Sequence, residues 1–399
     1  MTIRSSFRAA VSTCALCAAG VLIVSSPVAA ASGAGTDSGA GGRPDSAVPQ
    51  PALLEHEGTQ VRLRAGAPET PQVSALSWVV ADATTGEVLA AHNAHEKLPP
   101  ASTLKTLFAL TVLPSFPGGV QHTVSTKDLA GIGEGSSLVG VVAGHTYRVS
   151  DLWRGVFLNS GNDAVHVLAA LNGGWNQTAR QMQVKARTLG ALDTQVVSPD
   201  GYDADGQVSS AYDLAVFGRA GLRNPDFARY CSTASAAFPG DGGSTFQIAN
   251  TNRLLTGNDG VAPYPGLIGV KNGYTSNAGN TLVAAAQRDG HTVLVTVMNP
   301  QEGDGFEVYE EARALLDWGF DATGRVDPVG SLDGLRPVAH HAQIVVPPVA
   351  AGGTGTGSRG AGGSAPDWTE TGAIAGAVGL GAGAVLLGLR RRSGRPARG

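Results

Sequence analysis

The spacing of apolar positions changes character several times along the chain. Ser74-Ala-Leu-Ser-Trp-Val-Val-Ala81 and Gly86-Glu-Val-Leu-Ala-Ala91 are short apolar runs parted by Asp82-Ala-Thr-Thr85, which predicts two strands in a hairpin. A longer apolar run, Leu104 to Leu113, opens just after Pro99-Pro100-Ala101-Ser102 and predicts a helix with Ser102 at its start. Helical spacing recurs over 151–158 with Ser150 as its cap, over 162–171, over 178–189 and over 211–221. Residues 267–270 read as a strand ending at Lys271, and 280–286 with 291–297 as a hairpin around Gln287-Arg-Asp-Gly290. An amphipathic stretch, 306–318, closes the pattern as a helix. Strands therefore bracket a helical middle. The expected class is α+β: an antiparallel sheet packed with helices, plus an inserted all-helical lobe, with a site in the cleft between them.

The ends have a different texture. Residues 1–31 read as a secretory signal peptide, with Arg4 and Arg8, an apolar stretch from Ala9 to Val24, and small residues at Val28-Ala-Ala-Ala31. Residues 32–73 are Gly/Ala/Pro-rich and read as a spacer, so the folded domain is expected over 74–325. Residues 326–350 are a short extension, too little for a domain of their own. Residues 351–367 form a Gly/Ser linker and 368–389 a membrane anchor. Its core, Gly372 to Leu389, is 18 residues without a charge. As a helix it would reach about 27 Å. The basic tail 390–399, with Arg390-Arg-Arg392, is expected on the cytoplasmic side, which puts the domain outside the cell membrane. Thr371-Gly372 followed by an apolar run and arginines also has the layout of a sortase-type wall-sorting signal, with the usual opening replaced by Trp368-Thr369.

Composition narrows the function. With Lys+Arg 28 against Asp+Glu 32 and a net charge of −4, no basic field argues for nucleic acid. Cys14 and Cys17 fall inside the leader, so Cys231 alone remains in the domain, as a buried apolar filler with no disulfide partner. Nine histidines form no His-Glu-x-x-His pair, and His92, His95, His340 and His341 read as surface groups. Asp200, Asp203 and Asp205 lack the spacing and closing glutamate of a calcium loop. Neither a metal nor a cofactor is expected.

Ser102 and Lys105 are the first candidates for chemistry. A serine beside unsatisfied backbone N–H groups, with a lysine one turn on, becomes a nucleophile if desolvation leaves the amine neutral. Alone, the pair reads equally as a cap followed by a solvated lysine. Ser160-Gly161-Asn162 alone is a plain turn, and Lys271-Asn272-Gly273 alone a strand end. Their order along one chain is the serine–lysine, Ser-x-Asn and Lys-Thr-Gly series of penicillin-recognising serine enzymes.

The wording around these elements resembles the low-molecular-mass D-alanyl-D-alanine carboxypeptidases over about residues 75 to 300. The resemblance rests on Pro100-Ala-Ser-Thr-Leu-Lys105, Leu158-Asn-Ser-Gly-Asn-Asp-Ala164 and Gly269-Val-Lys-Asn-Gly-Tyr-Thr275. Gly135-Ser-Ser137, Ser198-Pro-Asp-Gly201, Ala211-Tyr-Asp-Leu-Ala215 and Asn250-Thr-Asn-Arg-Leu-Leu255 add to it. It implies a β-lactamase/DD-peptidase-like fold and hydrolysis of peptidoglycan stem peptides through an acyl-enzyme on Ser102. Lys105 would be the base, and the backbone N–H groups of Ser102 and Tyr274 would hold the oxyanion. Ser160 would pass a proton to the leaving group, Asn162 would hold the substrate amide, and Lys271 would face the terminal carboxylate. Gly273 would let the substrate lie along the strand. β-Lactams would be covalent inhibitors.

One departure stands out. Asn272 occupies the threonine position of the Lys-Thr-Gly element, where a hydroxyl would meet the substrate carboxylate, and Thr275 is the hydroxyl nearby in sequence. Between Gly173 and Gly266 there is no glutamate, which argues against the deacylation chemistry of a class A β-lactamase. The expected activity is that of a serine carboxypeptidase. A DD-endopeptidase using the same residues, or a silent peptidoglycan- or penicillin-binding homologue, is the alternative.

Overall fold

A computed structural model describes residues 53–333. The expected leader, linker, anchor and basic tail lie outside these residues. Among the described residues no helix is long and apolar enough to cross a membrane.

The strands in chain order are β1 (Thr59–Leu63), β2 (Ala75–Asp82), β3 (Glu87–His92), β4 (Gln121–Thr123), β5 (Thr146–Arg148), β6 (Ser235–Pro239), β7 (Thr245–Ala249), β8 (Leu267–Thr275), β9 (Gly279–Arg288), β10 (His291–Pro300), β11 (Val326–Asp327) and β12 (Gly330–Ser331). The helices are α1 (Lys105–Val112), α2 (Val149–Leu158), α3 (Asn162–Leu171), α4 (Trp175–Thr188), α5 (Ala211–Leu222), α6 (Pro225–Cys231), α7 (Arg253–Thr256) and α8 (Glu307–Ala322). One antiparallel sheet runs β11-β1-β3-β2-β10-β9-β8, with β12 on β3. Two small hairpins, β4–β5 and β6–β7, stand apart from it.

The three central strands β2, β10 and β9 are buried on both faces, so their sequences are nearly continuous apolar runs. One face is covered by α8, which comes so close that a Cβ at Gly319 would meet Val293 and Val80. The other face carries α5, where Gly218 allows the same approach to Val283 and Leu294. Beyond α5 lie α1–α4, the all-helical lobe that the sequence predicts.

Four differences from the sequence reading have physical causes. The spacer ends before residue 73, because Thr59–Leu63 pairs with both β3 and β11. Its side chains are half-buried and polar ones alternate with apolar ones, so they carry no apolar run. The extension after residue 325 likewise adds β11 and β12 to the sheet. Helix α2 starts at Val149 after Arg148, so Ser150 sits inside its first turn and caps nothing. Strand β8 continues through the lysine element to Thr275 instead of ending before it.

Candidate active site

The nucleophile region is held down before it is armed. Residues Ala101–Leu104 form a 3-10 turn that feeds directly into α1, so Ser102 lies in the turn and does not cap the helix. Ala101 has φ 49°, a left-handed conformation unusual for a residue with a side chain. Hydroxyl donors from Thr103 and Thr281 converge on the Pro100 carbonyl at 2.5 and 3.0 Å, which pins the turn to β9. Such strain persists where surrounding contacts over-determine it.

Lys105 Nζ donates to Ser102 Oγ at 2.6 Å and to the Asp200 carbonyl at 2.7 Å. Its side chain is only 1% exposed. Burial lowers its pKa to about 8, against the pull of Asp200 and Asp163 in the other direction. The pairing therefore has the two properties the sequence motif could only suggest: contact and desolvation. Asp200 comes from the Ser198-Pro-Asp-Gly201 turn. A Cβ at Gly201, where φ is 79°, would lie 2.0 Å from the Ala101 carbonyl, so only glycine lets this turn seat against the nucleophile.

Ser160 and Asn162 bracket the start of α3. Ser160 has φ 55°, which turns the chain sharply between α2 and α3. Both residues are buried, and Ser160 Oγ and Asn162 Oδ1 have no hydrogen-bond partner among the described residues. Buried polar atoms are rarely left so, and a cleft that must hold a polar ligand is a physical reason for it.

Lys271 lies on β8, 1% exposed, and its Nζ donates to the Asn272 carbonyl at 2.7 Å. Burial first, then the neighbouring Lys105, holds its pKa well below the ordinary lysine value. Gly273 abuts the nucleophile: a Cβ there would sit 2.6 Å from Ser102 N. Tyr274 is 67% exposed at the open edge of the strand, and Thr275 Oγ1 accepts from Ala278 N in the turn that follows.

Asn272 points elsewhere. Its Oδ1 accepts from Thr251 Oγ1 at 2.9 Å, and its Nδ2 donates to Tyr309 Oη at 3.2 Å on α8. Strand parity explains this: if Lys271 and Gly273 face Ser102, the residue between them faces the opposite side. The carboxamide is thus engaged behind the strand.

Several participants were not among the sequence candidates. The Asp200 carbonyl touches Lys105, Ser136 Oγ accepts from Asn162 Nδ2 at 3.0 Å, and Asp163 anchors a neighbouring segment. Their short motifs were visible, but backbone and through-space roles have no signature in residue type. One histidine reads differently in three dimensions, and Cys231 is where the sequence places it. His95 is paired with Asp193 at 2.7 Å and is no plain surface histidine. Cys231 is buried, and burial raises its thiol pKa to about 12. No cluster of metal ligands occurs among the described residues.

The comparisons with known proteins point to one family. A profile of the peptidase S11 family, described as D-alanyl-D-alanine carboxypeptidase, matches residues 64–302. The chain is 39% identical over 271 residues to D-alanyl-D-alanine carboxypeptidase DacB2 of Mycobacterium tuberculosis, covering 67% of this chain and 89% of that one. It is 36% identical to DacD of Escherichia coli, covering 63% of this chain and 64% of the relative, so it spans less than two thirds of that protein. Among solved structures, a D-alanyl-D-alanine carboxypeptidase of M. tuberculosis superposes with a TM-score of 0.61 at 36% identity over 67% of this chain and 99% of that one. The Streptomyces K15 DD-transpeptidase does so with 0.58 at 25% identity, over 63% and 99%. The chain belongs to the peptidase S11 family of serine D-alanyl-D-alanine carboxypeptidases, with the α+β fold of the penicillin-binding DD-peptidases.

Proposed function

We propose that this chain removes the terminal D-alanine from peptidoglycan stem pentapeptides through an ester on Ser102. The observation that carries the reading is the 2.6 Å contact between Ser102 Oγ and a fully buried Lys105. A neutral Lys105 takes the hydroxyl proton as Oγ attacks the carbonyl of the penultimate D-alanine. The backbone N–H groups of Ser102 and Tyr274 stabilise the oxyanion, with Gly273 keeping the approach open. The C–N bond breaks as Ser160 Oγ–H hands its proton to the leaving amine and takes in return the proton held by Lys105, which leaves the lysine neutral again. Water then cleaves the ester, with Lys105 again the base, and releases the shortened peptide.

Lys271 faces the terminal carboxylate in this reading. An arriving carboxylate favours the ammonium form that burial and Lys105 disfavour, so the charge is recruited by the substrate. With Asn272 engaged behind the strand, Thr275 supplies the side-chain hydroxyl on the cleft face. A β-lactam would acylate the same Ser102. Export through residues 1–31 and attachment by 368–389 belong to the same reading and rest on sequence alone. They would keep the enzyme beside its polymeric substrate.

The test is D-alanine release from a stem pentapeptide by the full chain, with Ser102→Ala alongside. Release that vanishes in the variant is expected. Covalent penicillin labelling without release would instead mark a silent penicillin-binding homologue, and labelling that persists in Ser102→Ala would overturn the nucleophile.

A further inference from the structure

The segment Ser136–Val141 has no regular secondary structure, yet it is stitched to the Ser160-Gly161-Asn162 element by a dense set of hydrogen bonds. The Asn162 backbone N–H donates to the Ser137 carbonyl at 2.8 Å, and Asn159 Nδ2 donates to the Leu138 carbonyl at 2.9 Å. Asp163 receives three backbone N–H groups from the segment: Val139 at 3.0 Å on Oδ1, and Gly140 and Val141 at 2.8 Å each on Oδ2. A carboxylate accepting several backbone N–H bonds is held in one place, and it holds its donors equally. The Asp163 side chain is buried, so water does not compete for these bonds.

The end of this segment meets the cleft. Ser136 Oγ accepts from Asn162 Nδ2 at 3.0 Å. A carboxamide has one donor end and one acceptor end, and rotation by half a turn exchanges them. With Nδ2 committed to Ser136, the buried Oδ1 is the end left without a partner among the described residues. The serine hydroxyl, having accepted one hydrogen bond, keeps its own O–H free to donate.

We propose that Ser136 is a positioning residue that fixes which end of the Asn162 carboxamide faces the substrate, and that Asp163 holds Ser136 in place through the backbone of Val139–Val141. Asn162 then presents an acceptor, which suits an N–H of the stem peptide or of Lys105. The flipped amide presents a donor to those same donors and repels them. This rests on the acyl-transfer reading above and adds the geometric origin of its substrate orientation.

The experiment compares the full chain with Ser136→Ala and Ser136→Thr. It measures second-order acylation by a fluorescent penicillin, KM and kcat for D-alanine release from a stem pentapeptide, and thermal melting. Losing one orienting hydrogen bond is expected to lower kcat/KM and the acylation rate about tenfold in Ser136→Ala. Ser136→Thr, which keeps the hydroxyl, should return to within about threefold of wild type. Melting should not move, because Ser136 is half-exposed. Asp163→Asn, which turns a donor toward the backbone N–H groups, should reproduce the kinetic defect if it folds. A labelled wild type with Ser136→Ala indistinguishable from it overturns the role of Ser136 alone. Equal loss in Ser136→Ala and Ser136→Thr also overturns it. A wild type not labelled at Ser102 overturns the acyl-transfer reading and this proposal together.

Discussion

The two faces of the large sheet are built for different ends. Under α8, the sheet offers Val80, Leu282, Ala284 and Val295 to Leu315 and Leu316, and none of these side chains is measurably exposed. On the opposite side, where sheet and helical lobe meet, Lys105, Ser160, Asn162, Asp163, Asp200 and Lys271 are buried as well, though polar or charged. Apolar burial of the first kind stabilises at roughly 25 cal/mol per Å2. Burying lysines and unpaired amide or hydroxyl atoms works against folding. The difference teaches that the α8 face contributes stability which the seam consumes to keep its groups desolvated and aimed. A fold can tolerate such a seam only if the remainder is well packed.

That contrast can be broken most sharply at the base. Lys105→Ala is expected to lower D-alanine release by about a hundred- to ten-thousandfold, the usual range for losing a general base. Rates measured on folded protein would check it, and a loss under tenfold would remove Lys105 from the mechanism. The pH profile of the intact enzyme follows from the same residue. Because the amine must be neutral and titrates at about 8, acylation should rise as pH increases and level off above that value. Below it the slope should be about tenfold per pH unit, and a flat profile from pH 6 to 9 would contradict the assignment.

Gly273→Ala comes next. Its new Cβ would lie 2.6 Å from Ser102 N, so the strand and the nucleophile turn must part. Overpacking of this kind costs about 1–3 kcal/mol, and a ten- to hundredfold slower acylation with an unchanged fold is the expected result. On the other face, Leu315→Ala should destabilise the domain by about 2–5 kcal/mol in denaturant titrations. Activity per folded molecule should stay the same, and a variant that loses rate while remaining folded would show that the faces are not separable. Asn272→Thr should have the smallest kinetic effect, within about threefold in kcat, since the carboxamide is bonded to Thr251 and Tyr309. A gain of tenfold or more in kcat/KM would return this position to carboxylate recognition.

Much of this was legible before any coordinates. The hairpin β9–β10 and helix α3 follow from apolar runs with clear turn residues between them, and the three short motifs lie in the order that the cleft brings together. What escaped has identifiable causes. Strand β1 is short and half-buried, and it gains its partners from residues 33 and 263 positions away, His92 for Thr59 and Val326 for Leu63. The hairpins β4–β5 and β6–β7 are mostly exposed, and their alternation, as in Thr245-Phe-Gln-Ile248, runs over only three to five residues, too few to stand out as strands. Asp163 reads as an ordinary first-turn acid, because its three N–H partners come from a distant loop. The direction of the Asn272 side chain was readable in advance. Extending the strand through Gly273 would have placed its side chain on the far face by parity alone.

The pairing of β1 with β11 has a mechanical meaning. The first strand of the sheet and the first strand after α8 are neighbours, Arg62 opposite Asp327 and Leu63 opposite Val326, at one margin of the sheet, and the chain then runs on to β12 beside β3. The cleft lies along β8 at the other margin, six strand spacings from β11 or roughly 29 Å on a flat sheet. Any leash joined to either end therefore pulls on the margin opposite the cleft. A load applied at either end of the domain would fall on this margin and leave the strand that carries the cleft, and Ser102 beside it, out of the direct line of pull.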